Sequence, residues 1–417
     1  MPDRTEEHQA TDLFEVTIER ILPGGLGLAY ADGRAVMVSL AAPGDRLRVR
    51  LERVKGSVAF ASIVEILEPA PLRIEPPCPY FGRCGGCDFQ QLSYHAQLNA
   101  KVEIVRDCLR RIAGIEDVPK FEITAAPNEW HYRARAQWQY DSRRRLLGYF
   151  EANSHRVCDV AECAVLAPEL QSELELLRER MKQGELPDEA RYFRAVAGDE
   201  RVSVAAVGGE RRRDTSPTII DGSPETIRTI HGESYRLNAE SFFQTNNDLL
   251  PALIDYAVGD VLGRKAIELY CGVGLFTVPL ARRFEKVFAV EDDADATEFA
   301  RENLSAAGLK NTRVEKSKVG DWVARNQSRE AFQSVDLLLL DPPRAGVESS
   351  AIAVIAKVGP PRICYVSCDP ATLARDLKKL IAGGYSIKSM RAFDMFPQTH
   401  HVETVVQMTK PRSSLSS

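Results

Sequence analysis

The chain has 417 residues, more than one hydrophobic core usually serves, so we expect two to four domains of roughly 100 to 200 residues each. Its composition, 44% hydrophobic and 27% charged, excludes collagen-like, coiled-coil and wholly disordered proteins. With 54 basic and 59 acidic residues the net charge is -5, so any binding of a polyanion must come from a local surface.

The first residues, Met1 to Asp12, are polar and lack the basic and then apolar order of a secretory leader. No apolar run in the chain approaches the roughly 18 residues that a membrane-spanning helix needs. We therefore expect a cytoplasmic protein that does not act at a membrane.

Residues 1–69 are predicted to form a small β-barrel of about five strands. Short segments of alternating apolar and polar residues are separated by turns rich in Gly, Pro and Asp. These segments are Phe14–Ile18, Ala35–Leu40, Leu47–Leu51 and Ala61–Leu67. Barrels of this size often present one face to oligonucleotides, although the pattern fits a barrel without a ligand equally well.

Residues 70–235 are predicted to form a central α+β domain. The proline-rich stretch from Pro69 to Pro77 ends the preceding periodicity. Apolar residues at helical spacing predict one helix from Leu92 to Ile115, with Gly114 as its C-cap, and another from Pro168 to Lys182. The rest of this region is rich in predicted strands.

Aromatic and basic side chains alternate in part of the central domain. Trp130 to Arg135, together with Trp138, have the composition of surfaces that stack on unpaired bases, and Arg133 is our first candidate. Basic runs at Arg143–Arg145 and Arg211–Arg213 add weak support, since such runs are usually solvated. An amphipathic strand with a wet basic face explains the same pattern equally well.

Nine cysteines, an odd number, indicate metal ligands, catalytic thiols or core residues rather than a disulfide framework. Cys78, Cys84 and Cys87 have a C-x5-C-x2-C spacing in a glycine-rich stretch, which predicts a metal or cluster site. A fourth ligand is required, and Cys158 and Cys163 are both candidates. Spacing does not separate zinc from a four-iron cluster. Three other cysteines are interpreted as packing residues: Cys108, Cys271 and Cys364.

Residues 236–417 are predicted to form an α/β domain with a doubly wound, mostly parallel sheet. Strand and helix patterns alternate here, and ligands of this architecture bind at the carboxyl ends of the strands. The predicted strands are Ala266–Tyr270, Val287–Val290, Val335–Leu340, Ile363–Val366 and Thr404–Met408.

The first of these strands leads into a glycine turn that indicates a nucleoside cofactor. Gly272 and Gly274 allow a close approach of the backbone, and Glu291, 17 residues after Gly274, ends the next strand where it can bind two ribose hydroxyls. Thr277 stands where a dinucleotide fingerprint has its third glycine. This disfavours a pyrophosphate, so S-adenosylmethionine is a better prediction than NAD.

Further chemistry-bearing residues follow the later strands. Asp341 follows one strand and Cys368 the next, while His400, His401 and Glu403 precede the last. A thiol, two carboxylates and imidazoles are therefore expected beside one pocket.

Several of these segments resemble the RNA uracil-C5 methyltransferase family, over nearly the whole chain. They are Phe242–Asn246, Leu269–Gly274, Asp341–Gly346, Val366–Thr372 and His401–Glu403. The N-terminal barrel also resembles the OB-like TRAM domain of the iron–sulfur members of this family. The resemblance implies a Rossmann-like methyltransferase domain, an N-terminal TRAM barrel and a central α+β domain that carries an iron–sulfur cluster.

The resemblance also implies a mechanism. Uracil C5 is a weak nucleophile until a thiolate adds to C6, and the C5 proton must then be removed by a base. Cys368 matches the family nucleophile and Glu403 the base. Four further residues match or fit the pocket for S-adenosylmethionine and the target base: Gln244, Tyr270, Glu291 and Asp341.

The resemblance favours Cys163 as the fourth cluster ligand and [4Fe-4S] over zinc. It implies structured RNA as the partner, with 23S rRNA favoured over the T-arm of tRNA, and we expect a monomer. Two weaker alternatives are RNA cytosine-C5 methylation, which usually has a cysteine after proline where this chain has Asp341 to Arg344, and a non-catalytic RNA-binding scaffold.

Overall fold

The structure is a computed structural model, and it describes residues 13–208, 218–221, 224–327 and 332–411. The basic run Arg211–Arg213 and the segment Met1–Asp12 lie outside these residues. No helix within the described ranges is both long and apolar enough to cross a membrane.

The N-terminal unit is a six-stranded β-sheet that surrounds one small hydrophobic core. Its strands are β1 (Leu13–Thr17), β2 (Arg20–Ile21), β3 (Gly27–Ala31), β4 (Arg34–Val38), β5 (Arg46–Lys55) and β6 (Val58–Glu68). Their order is β1-β5-β6-β4-β3-β2, so the consecutive strands β1 and β2 lie at the two edges of the sheet. Alternate residues such as Val36, Val38, Leu47 and Val49 fill the interior. The predicted barrel is present, with the two-residue β2 added to the strands expected.

The central region begins with the predicted helix and continues into an antiparallel sheet. Helix α1 (Tyr94–Cys108) continues as a π-helical turn, Leu109–Ala113, and ends at Gly114, whose φ of 74° is left-handed. The later elements are β7 (Ile123–Thr124), β8 (Arg135–Asp141), β9 (Leu146–Phe150), β10 (Val157–Asp159), α2 (Pro168–Gln183), β11 (Ala190–Ala197), β12 (Val202–Gly208), β13 (Thr218–Asp221), and the hairpin β14 (Thr226–Ile230) and β15 (Glu233–Leu237). Strands β8 to β13 form one sheet in the order β10-β9-β8-β11-β12-β13.

The C-terminal region forms an eight-stranded mixed sheet flanked by helices. Its elements are α3 (Leu250–Val258), β16 (Gly263–Leu269), α4 (Thr277–Ala281), β17 (Phe284–Glu291), α5 (Ala294–Ala306), β18 (Thr312–Lys316), α6 (Val319–Asn326), β19 (Leu337–Leu340), α7 (Ser349–Val358), β20 (Arg362–Ser367), α8 (Pro370–Ala382), β21 (Ser386–Phe393) and β22 (Glu403–Thr409).

The strand order in this sheet is β18-β17-β16-β19-β20-β22-β21-β7. Strands β16 to β20 are parallel, whereas β22 runs antiparallel to both of its neighbours. The predicted mostly parallel sheet is therefore confirmed. The sequence did not reveal β18 or β21, because their mixed polar and apolar residues lack the continuous apolar run of a central strand such as β19.

The central region shares a hydrophobic core with the C-terminal sheet. Val105 and Leu109 of the first helix, and Phe121 after it, pack in one cluster with residues of β16, β19 and β20. Strand β7 also pairs with β21 at the edge of the sheet. The central and C-terminal regions, which the sequence analysis divides at residue 235, therefore pack extensively against each other.

Candidate active site and cysteine cavity

The carboxyl ends of the parallel strands form the edge where most of the predicted site residues meet. The chain winds outward from β16 in both directions, so a crevice opens beyond β16 and β19. Leu269 pairs with Leu340 at the end of these strands, which places Tyr270 and Asp341 side by side. The Asp341 N–H donates to the Leu269 carbonyl at 3.3 Å.

The glycine turn after β16 is held in a conformation that favours glycine. Gly272 and Gly274 have φ values of 53° and 95°, and Tyr270 also has a positive φ, 67°. The Gly272 N–H donates to Glu291 Oε2 at 2.8 Å, while Glu291 Oε1 accepts the Asp292 and Asp293 N–H groups. The Glu291 carboxylate is thus fixed at the end of β17 beside the turn, where it fits the ribose of an adenosyl group.

A buried carboxylate that the sequence analysis missed lies beneath this turn. Glu268 is fully buried, and its Oε2 accepts a hydrogen bond from the Thr277 hydroxyl at 2.5 Å, whereas Oε1 has no hydrogen-bond partner. Burial raises the pKa of Glu268 to about 8. The signal was a lone glutamate in an otherwise apolar buried strand. Oε1 is therefore an unpartnered polar atom in the packed core beneath the turn.

Cys368 and Glu403 are brought together by the pairing of β20 with β22. Ser367 pairs with Thr404, so the next residues along the two strands, Cys368 and Glu403, lie opposite each other. Asp369 fixes the chain after the thiol, because its Oδ1 accepts the Thr372 N–H at 2.7 Å and caps α8. The thiol is therefore held between a strand end and a helix start.

Burial, together with the charges of Glu403 and Asp341, raises the pKa of the Cys368 thiol to about 12, and the charge of Arg344 acts in the opposite direction. Burial also raises the pKa of Asp341 to about 7 and that of Glu403 well above its ordinary value. Arg344 acts on Glu403 in the opposite direction and favours the carboxylate. The free site consequently holds protonated groups, and Arg344 favours their reactive, charged forms.

Arg344 is held in this site by a histidine. Its guanidinium lies 3.2 Å from Nε2 of His401. Burial and nearby positive charges, including His400 and Arg344, lower the pKa of His401 to about 3, so the ring is neutral and can accept this hydrogen bond.

The loop between β15 and α3 contributes a polar and an aromatic side chain. Gln244 is 5% exposed and therefore turned into the protein, whereas Phe242 is 62% exposed. The Arg135 guanidinium carbon lies 5.4 Å from the centre of the Phe242 ring. Phe242 is thus a large exposed aromatic surface beside a basic group, two residues from Gln244.

The predicted RNA-stacking surface around Arg133 is wrong. Trp138 is fully buried in a core beneath α2, and Tyr132 is buried with its hydroxyl donating to the Pro397 carbonyl at 2.9 Å. Arg133 faces a cavity lined by cysteines. The face of a strand that is buried depends on the register of its pairing with other strands. That register is set here by distant parts of the chain, so the local sequence pattern does not predict which side chains are buried.

The four predicted cluster ligands line one cavity. They meet there with a guanidinium and a phenol: Cys78, Cys84, Cys87, Cys163, Arg133 and Tyr149. Cys158, the other candidate ligand, is buried in β10 and does not line this cavity. Burial raises the pKa of Cys84 to about 11 and that of Cys87 to about 12.

No group of three or more His, Cys, Asp or Glu side chains in the described part of the chain is arranged to hold a metal ion. The donor set of the cavity nevertheless consists of four thiols, which is the set that zinc and four-iron clusters accept. The buried Nε of Arg133 has no hydrogen-bond partner beside these thiols, so the cavity wall carries an uncompensated donor that fits an anionic group. The residues thus fit such a group in the kind of donor they offer, although the described side chains are not arranged around a metal ion.

Comparisons with known protein families cover both ends of the chain. Residues 226–411 match the model of the tRNA (uracil-5-)-methyltransferase family, and residues 12–64 match the TRAM domain. A 23S rRNA (uracil(1939)-C(5))-methyltransferase RlmD from Pectobacterium atrosepticum is 31% identical, over 94% of this chain and 92% of the relative. The RlmD enzyme from Alkalilimnicola ehrlichii is 33% identical, over 94% and 95%.

A solved structure with a similar fold also spans the whole chain. The Pyrococcus abyssi tRNA (uracil-54, C5)-methyltransferase, in complex with S-adenosyl-L-homocysteine, superposes with a TM-score of 0.75 and 26% sequence identity. The match covers 95% of this chain and 100% of that one.

Proposed function

Because the chain belongs to the RNA uracil-C5 methyltransferase family, we propose that it methylates C5 of a uridine in structured RNA through a covalent bond from Cys368. The observation that carries this proposal is the pairing of β20 with β22, which places a thiol opposite a buried carboxylate at the carboxyl edge of the sheet. That edge also carries the glycine turn and Glu291, which fit an adenosyl group.

In the first half of the reaction the Cys368 thiolate adds to C6 of the uracil, and C5 becomes enolate-like. Arg344 favours the thiolate because its charge lowers the pKa of Cys368. S-adenosylmethionine, when bound, would supply the methyl group from its sulfonium sulfur, with cleavage of that S–C bond and S-adenosylhomocysteine as the leaving group. C5 then forms its new bond to carbon, and the C5–H bond remains to be broken.

In the second half, the Glu403 carboxylate takes the proton from C5. The electron pair of that C–H bond restores the C5–C6 double bond, and the Cys368 sulfur leaves as a thiolate. Glu403 suits this step because it lies opposite Cys368, and Arg344 favours its carboxylate form. Removal of the C5 proton is therefore coupled to release of the RNA from the Cys368 sulfur.

The target base must leave the folded RNA to reach this edge, at a cost of a few kcal/mol. Phe242 is the exposed aromatic residue suited to stack on an unpaired base, with Arg135 beside its ring. Gln244 and Asp341 contribute the polar groups of the base pocket. Tyr270, next to Asp341 and the glycine turn, packs against the cofactor.

The cysteine cavity holds a [4Fe-4S] cluster in this proposal, with Cys78, Cys84, Cys87 and Cys163 as its ligands. Support comes from the four thiols on one cavity wall and from the position of Arg133 among them. A bound cluster would link the loop of the first three cysteines to the segment of the fourth. Analysis of the purified protein for iron and acid-labile sulfide, against zinc, tests this assignment.

The substrate class favoured is 23S rRNA, because two full-length relatives with that printed activity share 31% and 33% of their residues with this chain. The tRNA T-arm is the second candidate, since a tRNA (uracil-54, C5)-methyltransferase has a similar fold over its entire length.

The decisive experiment incubates the protein with labelled S-adenosylmethionine and total RNA from a strain that lacks the gene. We expect all label in 5-methyluridine, at a position within 23S rRNA. Label in 5-methylcytidine would refute the proposed base, and label confined to tRNA would select the second substrate.

A further inference from the structure

The segment that delivers Glu403 to the active site is fixed along its length. Residues 394–402, hereafter the 394–402 segment, join β21 to β22 without regular secondary structure. Thr399 Oγ1 donates to the Phe396 carbonyl at 2.8 Å, and the His400 N–H donates to Asp88 Oδ1 at 2.8 Å. Glu403 follows directly, so the path of this segment determines where its carboxylate lies.

Gln398 has an unusual backbone conformation within the segment. It is 1% exposed and has a φ of 68°, a left-handed conformation that residues other than glycine rarely adopt. Its carbonyl accepts both the Asp88 and the Phe89 N–H groups at 3.1 Å. A buried residue held in such a conformation indicates that the surrounding contacts impose it.

Gln97 of α1 provides the matching contact. Its Nε2 donates to Gln398 Oε1 at 2.9 Å, and its Oε1 accepts the Gln398 N–H at 2.9 Å. Nε2 also donates to the Leu92 carbonyl at 3.0 Å, and Gln97 is 1% exposed. This amide therefore binds the main chain and the side chain of one residue that is 301 positions away.

The same face of α1 contributes a second buried polar residue. Lys101, one turn after Gln97, forms a fully buried ion pair with Asp394 and donates to the Phe396 carbonyl at 3.0 Å. Burial of a polar group costs free energy unless the group is hydrogen-bonded. Two buried polar residues on one helix face are therefore expected to have bonding partners. Both residues bond to the 394–402 segment.

We propose that Gln97 and Gln398 are positioning residues that hold the 394–402 segment so that Glu403 faces C5 of the bound uracil. This inference rests on the proposed role of Glu403 as the base. A base must lie within about 2.6 to 3.2 Å of the atom that carries its proton, and a displacement of about 1 Å is enough to slow the step greatly. Cys368 is carried by β20 and α8, outside the segment.

The inference separates the two halves of the reaction. Loss of the Gln97–Gln398 contact slows removal of the C5 proton more than it slows addition of Cys368 and transfer of the methyl group, because those earlier steps depend on the segment only through the contact of His401 with Arg344. Methylated RNA then stays bound to the enzyme through Cys368. Damage to the fold in general would instead reduce both halves together.

Two variants test this separation. Gln97→Met keeps the length of the side chain and removes both hydrogen bonds to Gln398. Gln398→Asn keeps a residue that tolerates the left-handed conformation, but its amide is one carbon too short to accept from Gln97 Nε2, so it removes the side-chain hydrogen bond and retains the one from the main-chain N–H. Asn311→Leu is the matched control, because it removes two amide hydrogen bonds, to Ala281 and Phe284, at the opposite edge of the sheet.

Each protein is assayed for kcat and KM with RNA, and for covalent RNA on denaturing gels with uridine and 5-fluorouridine substrates. We expect both glutamine variants to lose roughly 10- to 100-fold in kcat, with kcat/KM little changed because the slowed step follows methyl transfer, and to accumulate covalent RNA on the uridine substrate. The control should show neither effect.

Unchanged kcat, or equal losses of turnover and of trapping by 5-fluorouridine RNA, would overturn the inference. If the native protein fails to trap 5-fluorouridine RNA, the proposed function itself fails. If the native protein traps it and both variants release product normally, only the positioning role fails.

Discussion

Cys368 and Cys87 are both buried thiols whose pKa is raised to about 12, yet their surroundings differ in charge and in support. Cys368 stands alone at a strand end, facing the carboxylates of Glu403 and Asp341. Cys87 stands among three other thiols on irregular chain, beside Arg133. Burial alone keeps both sulfurs protonated, so each needs a different partner to become a thiolate.

For Cys368 that partner is transient, because a covalent bond to the base replaces the proton during each turnover. For Cys87 the iron ions of a bound cluster would hold the thiolate permanently. Two thiols with the same raised pKa should therefore respond differently to replacement. Replacing the first should affect chemistry without affecting stability, and replacing the second should affect stability first.

Replacing Cys368 should have the largest effect on activity. Cys368→Ala removes the atom that activates C5, so we expect turnover to fall by about 10⁴-fold or more, with the unfolding midpoint close to native. Cys364→Ala, a buried thiol in the middle of β20, is the matched control and should retain turnover. Substantial methylation by the Cys368→Ala variant would contradict the role of Cys368 as the nucleophile.

Glu403→Gln should divide the reaction in two. The amide cannot take the C5 proton, so we expect turnover to fall by roughly 10²- to 10⁴-fold while methylated RNA accumulates on the protein. Denaturing gels with labelled S-adenosylmethionine measure this adduct. The double variant with Cys368→Ala should show no adduct, and an adduct that persists there would contradict the assignment of the sulfur.

Cys87→Ser should lower stability and remove iron. Loss of a structural metal site is among the few single changes that cost about 3 to 5 kcal/mol or more, and iron per chain should fall with it. Chemical unfolding and metal analysis measure both quantities. Cys158→Ser is the control, because Cys158 is buried but does not line the cavity. Equal iron loss in the two variants would make Cys158 a ligand.

Glu268→Gln should change the free energy of unfolding by an amount that depends on pH. The pKa of Glu268 is raised to about 8, so the folded chain holds this proton between the unfolded value of 4.5 and pH 8, while the unfolded chain releases it. The native chain therefore loses stability as pH rises across that interval. Relative to it, the variant should gain roughly 1.4 kcal/mol per pH unit, to about 4 kcal/mol at pH 8.

Urea unfolding of both proteins at pH 5, 6, 7 and 8 checks this sign. Parallel stability curves would show that Glu268 titrates normally. The result also measures whether the carboxyl beneath the glycine turn is protonated before any ligand binds.

The sequence revealed the parts of the site that local pattern encodes. Asp341 and Cys368 directly follow apolar strands, and parallel strands bring their carboxyl ends to one edge, so the meeting of these residues could be predicted. The glycine turn with Glu291 was predicted for the same reason. Resemblance to the family, rather than spacing, then assigned the individual roles.

What the sequence could not reveal depends on pairing between distant segments. Arg133 belongs to an amphipathic pattern, and only the register of the folded chain turns it towards the cysteines. Gln97 and Gln398 are 301 positions apart, and no periodicity links them. Glu268 looked like one residue of a buried strand, and its unpartnered oxygen is a property of the packed core.

The most direct test of the account is to mix the native protein with S-adenosylmethionine and RNA that contains 5-fluorouridine, then to map any covalent product by mass spectrometry. Fluorine at C5 prevents the final abstraction, so the account predicts a stable methylated nucleotide linked to the peptide that contains Cys368. Methylated RNA with no protein attached, or a nucleotide linked to another cysteine, would contradict it.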